Sequence, residues 1–146
     1  MTNGLSAFLE QYHEAARRFA RADPEGIKAI YSRADDVVLA NPFGPAVVGW
    51  DAVGSGLEFA SSRLQDGDVS RFEVLARYES GDMVVVHTLE DWRARVPGRP
   101  AVEPFQLRAT SVLRPEKRRL ANRSQTRRPD CDRGCLRSDA RQVNEL

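Results

Sequence analysis

The side chains best suited to acid–base chemistry fall in one short stretch, Val86-His87-Thr88-Leu89-Glu90-Asp91-Trp92. His87 is one of two histidines, and an imidazole titrates near neutral pH, which suits proton transfer. Glu90 stands two residues from Trp92; a carboxylate beside an indole in a pocket is desolvated and its pKa rises. Side chains alternate along a strand, so His87 shares one face with Asp91 and Glu90 shares the other with Trp92. Alternation leaves open which face points inward. His87 and Asp91 are four residues apart, roughly 13 Å along a strand, too far for a direct hydrogen bond. Each candidate also has a plainer reading. A lone histidine in a Val-rich strand is commonly structural, and a glutamate commonly sits on a solvated face.

Other residues could line a pocket around these two. Tyr12 and Tyr31 point inward from helical segments, and Phe43, Trp50 and Phe59 suit a pocket mouth. Arg108 and Thr110 share a strand face, where they could contact an anion or pair across strands with Glu90. The chain carries no Gly-rich phosphate loop, no nucleophile elbow and no HExxH. Cys131 and Cys135 are four apart with no second pair or nearby histidine, which is not zinc or CxxC redox spacing. No metal and no cofactor are therefore expected.

The elements that must position these residues are legible from period and punctuation. Leu5, Phe8, Leu9, Tyr12, Ala15, Ala16, Phe19 and Ala20 recur at helical spacing, which predicts an amphipathic helix over about 5–21. Asp23-Pro24 opens a short second helix carrying Ile27, Ile30 and Tyr31 inward. Val37-Val38-Leu39 and Ala46-Val47-Val48 flank a Pro/Gly-rich turn and predict a hairpin. A third helix follows Gly49, with Trp50, Val53, Leu57, Ala60 and Leu64 on one face. Three long strands come next, over 69–78, 83–96 and 105–114. In the first, Phe72, Val74, Ala76 and Tyr78 are expected on one side, with Arg71, Glu73 and Arg77 on the other. Helices first and strands later argue α+β.

The bulk numbers set the class. The 146 residues suggest one domain; 41% are apolar and 29% charged, as in ordinary globular chains. A net charge of +1 gives no argument for nucleic acid or an acidic membrane. There is no apolar run long enough for a membrane span and no signal-peptide pattern, so a cytoplasmic protein is expected. The average conceals a split. Pro115 to Leu146 holds nine basic and five acidic residues, no aromatic residue and both cysteines. A domain over 1–114 and an Arg-rich, disordered tail over 115–146 are expected. With acids interspersed and aromatics missing, the Arg-rich tail is a weak match to any nucleic-acid module, and a nucleic-acid partner is not expected.

This order of elements resembles the nuclear transport factor 2-like (SnoaL-like) superfamily, over about residues 5–114. The resemblance is carried by Asp23-Pro24-Glu25-Gly26-Ile27, by Asp35-Asp36-Val37-Val38-Leu39-Ala40-Asn41-Pro42-Phe43-Gly44, by Val48-Gly49-Trp50-Asp51-Ala52-Val53 and by Leu107–Leu113. It implies a cone of three N-terminal helices packed on a curved, mainly antiparallel sheet with a pocket inside, and a homodimer through the open sheet face. The ketosteroid isomerases of that superfamily use a carboxylate base with a tyrosine and a protonated aspartic acid. The position resembling the base is Asn41, an amide without useful basicity, and Ala15 or Ala16 stands near the place of the tyrosine, with Tyr12 a turn away. Ketosteroid isomerase chemistry is therefore not expected.

Three functions follow as expectations. First comes a binding protein for a small apolar ligand. Second is an isomerase, cyclase or dehydratase acting on an apolar carbonyl compound, with Glu90 or His87 as acid/base. Third is a dimerising structural or partner-binding module. The resemblance also implies a final strand of the type Gly-Gly-Trp-Arg, which the visible tail does not contain. Arg119–Gln125 can be encoded as CGG CTG GCG AAT CGT TCA CAG; read one nucleotide later this gives Gly-Trp-Arg-Ile-Val-His. A shifted reading frame from about Glu116 is thus an expectation as well.

Overall fold

The computed structural model describes residues 2–116 and 119–129. Helix α1 (Thr2–Phe19) is followed by α2 (Glu25–Ile30), the short strands β1 (Val38–Ala40) and β2 (Val47–Val48), and α3 (Trp50–Ser62). Four longer strands complete the order: β3 (Gln65–Ser80), β4 (Met83–Arg95), β5 (Glu103–Glu116) and β6 (Arg119–Pro129). They form one sheet in the order β2-β1-β6-β5-β4-β3. All neighbours are antiparallel except β1 and β6, which run parallel. The expected α+β cone, three helices on a mainly antiparallel sheet, is the fold of the chain.

The three helices bury their apolar stripes against one face of the sheet. Phe8, Tyr12, Ala16 and Phe19 of α1 meet Ile27 and Ile30 of α2, Val53, Leu57 and Ala60 of α3, and the inward rows of β4 and β5. On β4 the inward row is Val84, Val86, Thr88, Glu90, Trp92 and Ala94, all buried. On β5 it is Phe105, Leu107, Ala109, Ser111 and Leu113. At about 25 cal/mol per Å² of apolar surface removed from water, this packing is the main source of stability.

Bulges give the sheet its curvature. β3 shifts register against β4 between Gln65 and Asp68, between Val69 and Arg71, and between Val74 and Ala76. Each extra residue bends and twists the strand. The third bulge also corrects the expected alternation. Phe72 stands opposite Glu90 on the inward side, whereas Ala76 and Tyr78 stand opposite His87 and Val85 on the outer side. One inserted residue exchanges the faces of everything beyond it.

Gly67 marks where α1 and the sheet meet. Its N–H donates to the Ala20 carbonyl at 3.1 Å. A β-carbon there would lie 2.4 Å from the Arg93 carbonyl oxygen and 2.6 Å from that of Ala20, so only glycine fits.

The expectation of a disordered tail from residue 115 is corrected in part. β5 continues to Glu116, and Arg119–Pro129 forms β6, paired with β5 on one side and β1 on the other. Without it the facing edges of β1 and β5 would present unpaired backbone groups. Backbone pairing needs no particular side chain, so even an Arg-rich segment can fill the slot. Cys131, Cys135 and the rest of the expected tail beyond Pro129 lie outside the described residues.

Candidate site inside the cone

Strand alternation brings Thr88, Glu90 and Trp92 to one face of β4, and helix packing turns that face inward. Residues two apart on a strand are close enough for their side chains to meet. The Thr88 hydroxyl donates to Glu90 Oε1 at 2.9 Å, and the Trp92 indole N–H donates to Glu90 Oε2 at 2.8 Å. Each carboxyl oxygen thus has its own donor. Glu90 is wholly buried, with 0% exposure. Burial pushes its carboxyl up from 4.5 to about 7, with the Trp92 and Thr88 hydrogen bonds pulling the other way. Both protonation states are therefore accessible at neutral pH.

Tyr31 lies in the same interior. It follows α2 directly, with extended backbone angles that turn it off the helix end. It is 1% exposed, and burial first and the Glu90 charge second raise its phenol well above the ordinary range. It is a fixed proton donor at any physiological pH. Tyr12 is buried one layer away, with its ring edge-on to Phe72 at 4.9 Å between centroids.

Beside Trp92 lies a narrow cavity of about 20 Å³, whose wall includes Trp92 but not Thr88, Glu90 or Tyr31. That is room for about one water molecule. Its wall includes Phe19, Leu57, Phe105 and Trp92 from the core, and Asn41 and Phe43 from the loop after β1. Trp92 serves both features: it lines the cavity and its N–H holds Glu90. The ring is packed edge-on to Phe19 at 6.4 Å and stacked with Phe105 at 6.1 Å. Asn41 Oδ1 accepts the Phe43 N–H at 2.9 Å, a local turn that fixes Phe43 in place. Apart from the Trp92 indole, the wall is apolar except at Asn41.

Several expected site residues sit elsewhere. His87 is on the outer face of β4, where Nδ1 is 2.9 Å from Thr110 Oγ1 and its ring is edge-on to Tyr78. Arg108 and Thr110 share that outer face, opposite Leu89 and His87. Arg108 therefore does not pair with Glu90; the two are on opposite sides of the sheet. Asp91, also outside, accepts from Gln106 at 2.6 Å. Phe59 is 51% exposed, because α3 turns Val53, Leu57 and Ala60 inward and leaves position 59 on its far side. Trp50 is half-buried at the start of α3, with the Arg33 guanidinium 3.4 Å above its ring centroid. Of the expected lining residues, Asn41, Phe43 and Trp92 reach the cavity wall. Thr88 was not anticipated, although its spacing of two from Glu90 was the available signal. Phe19, Leu57 and Phe105 carry no signal that separates a pocket wall from a core.

The cone, the helix order and the inward row on the central strand define the nuclear transport factor 2-like class. A sequence profile of the SnoaL-like domain matches residues 9–122, and the chain belongs to that family. The fold is similar to a nuclear transport factor 2-like superfamily protein from Salmonella enterica, at TM-score 0.72 and 12% identity, covering 91% of this chain and 93% of that one. It is similar to a ketosteroid isomerase-like protein from Erwinia carotovora atroseptica, at TM-score 0.70 and 22% identity, covering 87% and 94%. A proposed dehydratase of the same family from Streptomyces avermitilis aligns at TM-score 0.68 and 17% identity, covering 88% and 94%. These identities establish a shared fold and nothing finer. No curated protein matches the chain. No helix among the described residues is long and apolar enough to cross a membrane.

Proposed function

We propose that this chain binds a small apolar compound in the cone, against Trp92 and under the Asn41–Phe43 loop. The observation that carries the reading is the cavity wall itself: aromatic and aliphatic side chains together with Asn41, with Trp92 held by its hydrogen bond to Glu90. At about 20 Å³ the cavity has room for little more than a water, so a ligand must displace Phe43 or its neighbours to enter. A panel of small aromatic and alicyclic compounds, read by thermal shift and by Trp92 fluorescence, tests this. Absence of any saturable response across the panel overturns it. The reading keeps the cytoplasm as the place of action, on the composition of the chain alone.

A specific observation favours an enzyme as the second reading. A wholly buried carboxyl with a pKa of about 7 is suited to move a proton to or from an apolar carbonyl compound, in an isomerisation, cyclisation or dehydration. The names of the ketosteroid isomerase-like and dehydratase-like structures agree with that chemistry. The Trp92 indole would have to yield its place on Oε2 to the substrate. Glu90→Gln separates the two readings: an enzyme loses turnover while binding survives. The narrowness of the cavity supports the third reading, a dimerising module. Its homodimer would use the outer sheet face around Val85, Leu89 and Val112. Leu89→Arg would then leave a monomer.

A further inference from the structure

β3 is one edge of the sheet among the described residues. From Glu73 to Ser80 almost every residue on it is exposed. Leu75 is 54% and Tyr78 60% exposed, and Met83 across the turn is exposed as well. A long edge with apolar side chains is a template for another strand.

The turn decides which backbone groups are available. Ser80 pairs with Met83 across the two-residue loop Gly81-Asp82, with Gly81 at φ 57°. In such a hairpin the closing pair exchanges both hydrogen bonds, and alternate residues do the same. Ser80 and Tyr78 therefore turn their N–H and C=O toward β4, while Arg77 and Glu79 turn theirs outward. Beyond the bulge, Tyr78 is on the outer face opposite Val85. Arg77 and Glu79 share the other face, opposite Val86 and Val84, with Arg77 Nη2 2.7 Å from Glu79 Oε1.

We propose that the distal part of β3, centred on Tyr78, is an antiparallel docking edge for the same segment of a second copy of this chain. A two-fold axis normal to the sheet at Tyr78 sets Arg77 of each copy opposite Glu79 of the other. Both residues present outward backbone groups, so the two pairs exchange four hydrogen bonds. Their side chains lie on one face with opposite charges, and cross-strand pairs of that kind are favourable. The two Tyr78 residues face each other at a non-hydrogen-bonded position, where side chains come closest. The charges also select the register. Centring the pair on Arg77 or on Glu79 would oppose like charges. The bulge between Val74 and Ala76 ends the pairing on the near side, so the contact is short and the dimer reversible.

Sedimentation equilibrium of the full chain from low micromolar to millimolar concentration is the test, with a concentration-dependent dimer expected. Glu79→Arg alone, or Arg77→Glu alone, opposes like charges at both pairs and raises the dimer Kd about tenfold or more. The combined swap Arg77→Glu with Glu79→Arg restores opposite charges and recovers the original Kd. Tyr78→Cys in a chain with Cys131→Ser and Cys135→Ser gives a disulfide-linked dimer on mild oxidation, because facing residues fall within disulfide range. A chain that stays monomeric and does not cross-link overturns the proposal. So does a dimer indifferent to the single charge reversals, or one lost through Leu89→Arg instead.

Discussion

Glu90→Gln isolates the energetic cost of one buried charge. Glutamine has the same shape, keeps an oxygen to accept the Trp92 N–H, and can donate its amide to Thr88 Oγ1. It removes only the titration. Glu90 has its pKa raised from 4.5 to about 7 by burial. Between those values the folded chain holds a proton that the unfolded chain has released. The stabilisation from this group is therefore fully present below about pH 4.5 and is lost as pH rises through about 7. At about 1.36 kcal/mol per pH unit, the loss amounts to about 3 kcal/mol. Urea unfolding of both proteins at a series of pH values from about 4.5 to 8 measures it, and every other ionisable group cancels in the difference. The stability of the native chain relative to Glu90→Gln should fall by about 3 kcal/mol across that range. A flat difference, or one that rises with pH, would refute the reasoning, since it would mean that Trp92 and Thr88 balance or outweigh the desolvation.

Other perturbations test neighbouring steps. Trp92→Phe keeps most of the ring but removes the donor to Glu90 Oε2, so the carboxyl should titrate still higher and stability above neutral pH should drop by about 1–3 kcal/mol; NMR titration and urea unfolding read the two effects. Gly67→Ala drives a methyl into the Arg93 and Ala20 carbonyls, so α1 must shift off the sheet, and a loss of about 1–3 kcal/mol or more is expected in the denaturation midpoint. Phe43→Ala empties part of the cavity wall and should tighten binding of a probe such as indole, followed by isothermal titration calorimetry; unchanged affinity would count against the cone as the ligand site. The shifted-frame proposal predicts that a chain translated one nucleotide later from about Glu116 melts higher than the present chain. Equal melting temperatures would sink it.

Much of the fold was legible because its signals are local. The apolar stripe of α1 and the breakers at Asn41–Pro45 depend on residues a few positions apart, and they lie within the elements they predict. The end of the sheet was not legible. Arg119–Pro129 carries no strand-like apolar alternation, yet it occupies the slot between β1 and β5. Its place comes from the backbone groups of its neighbours, which lie far away in sequence.

The candidate site divides in the same way. The period of two along β4 alone determined that Thr88, Glu90 and Trp92 share a face and that His87 and Asp91 share the other. Which face is buried was beyond reach of alternation, because both rows mix apolar with ionisable residues. Only the packing of α1, α2 and α3 against the row of Val86, Glu90 and Trp92 decided it. That packing raised a carboxyl to about 7, left the imidazole outside beside Thr110, and left the cavity room for about one water. Side-chain direction is a property of the strand; desolvation is a property of what the folded chain lays on top of it.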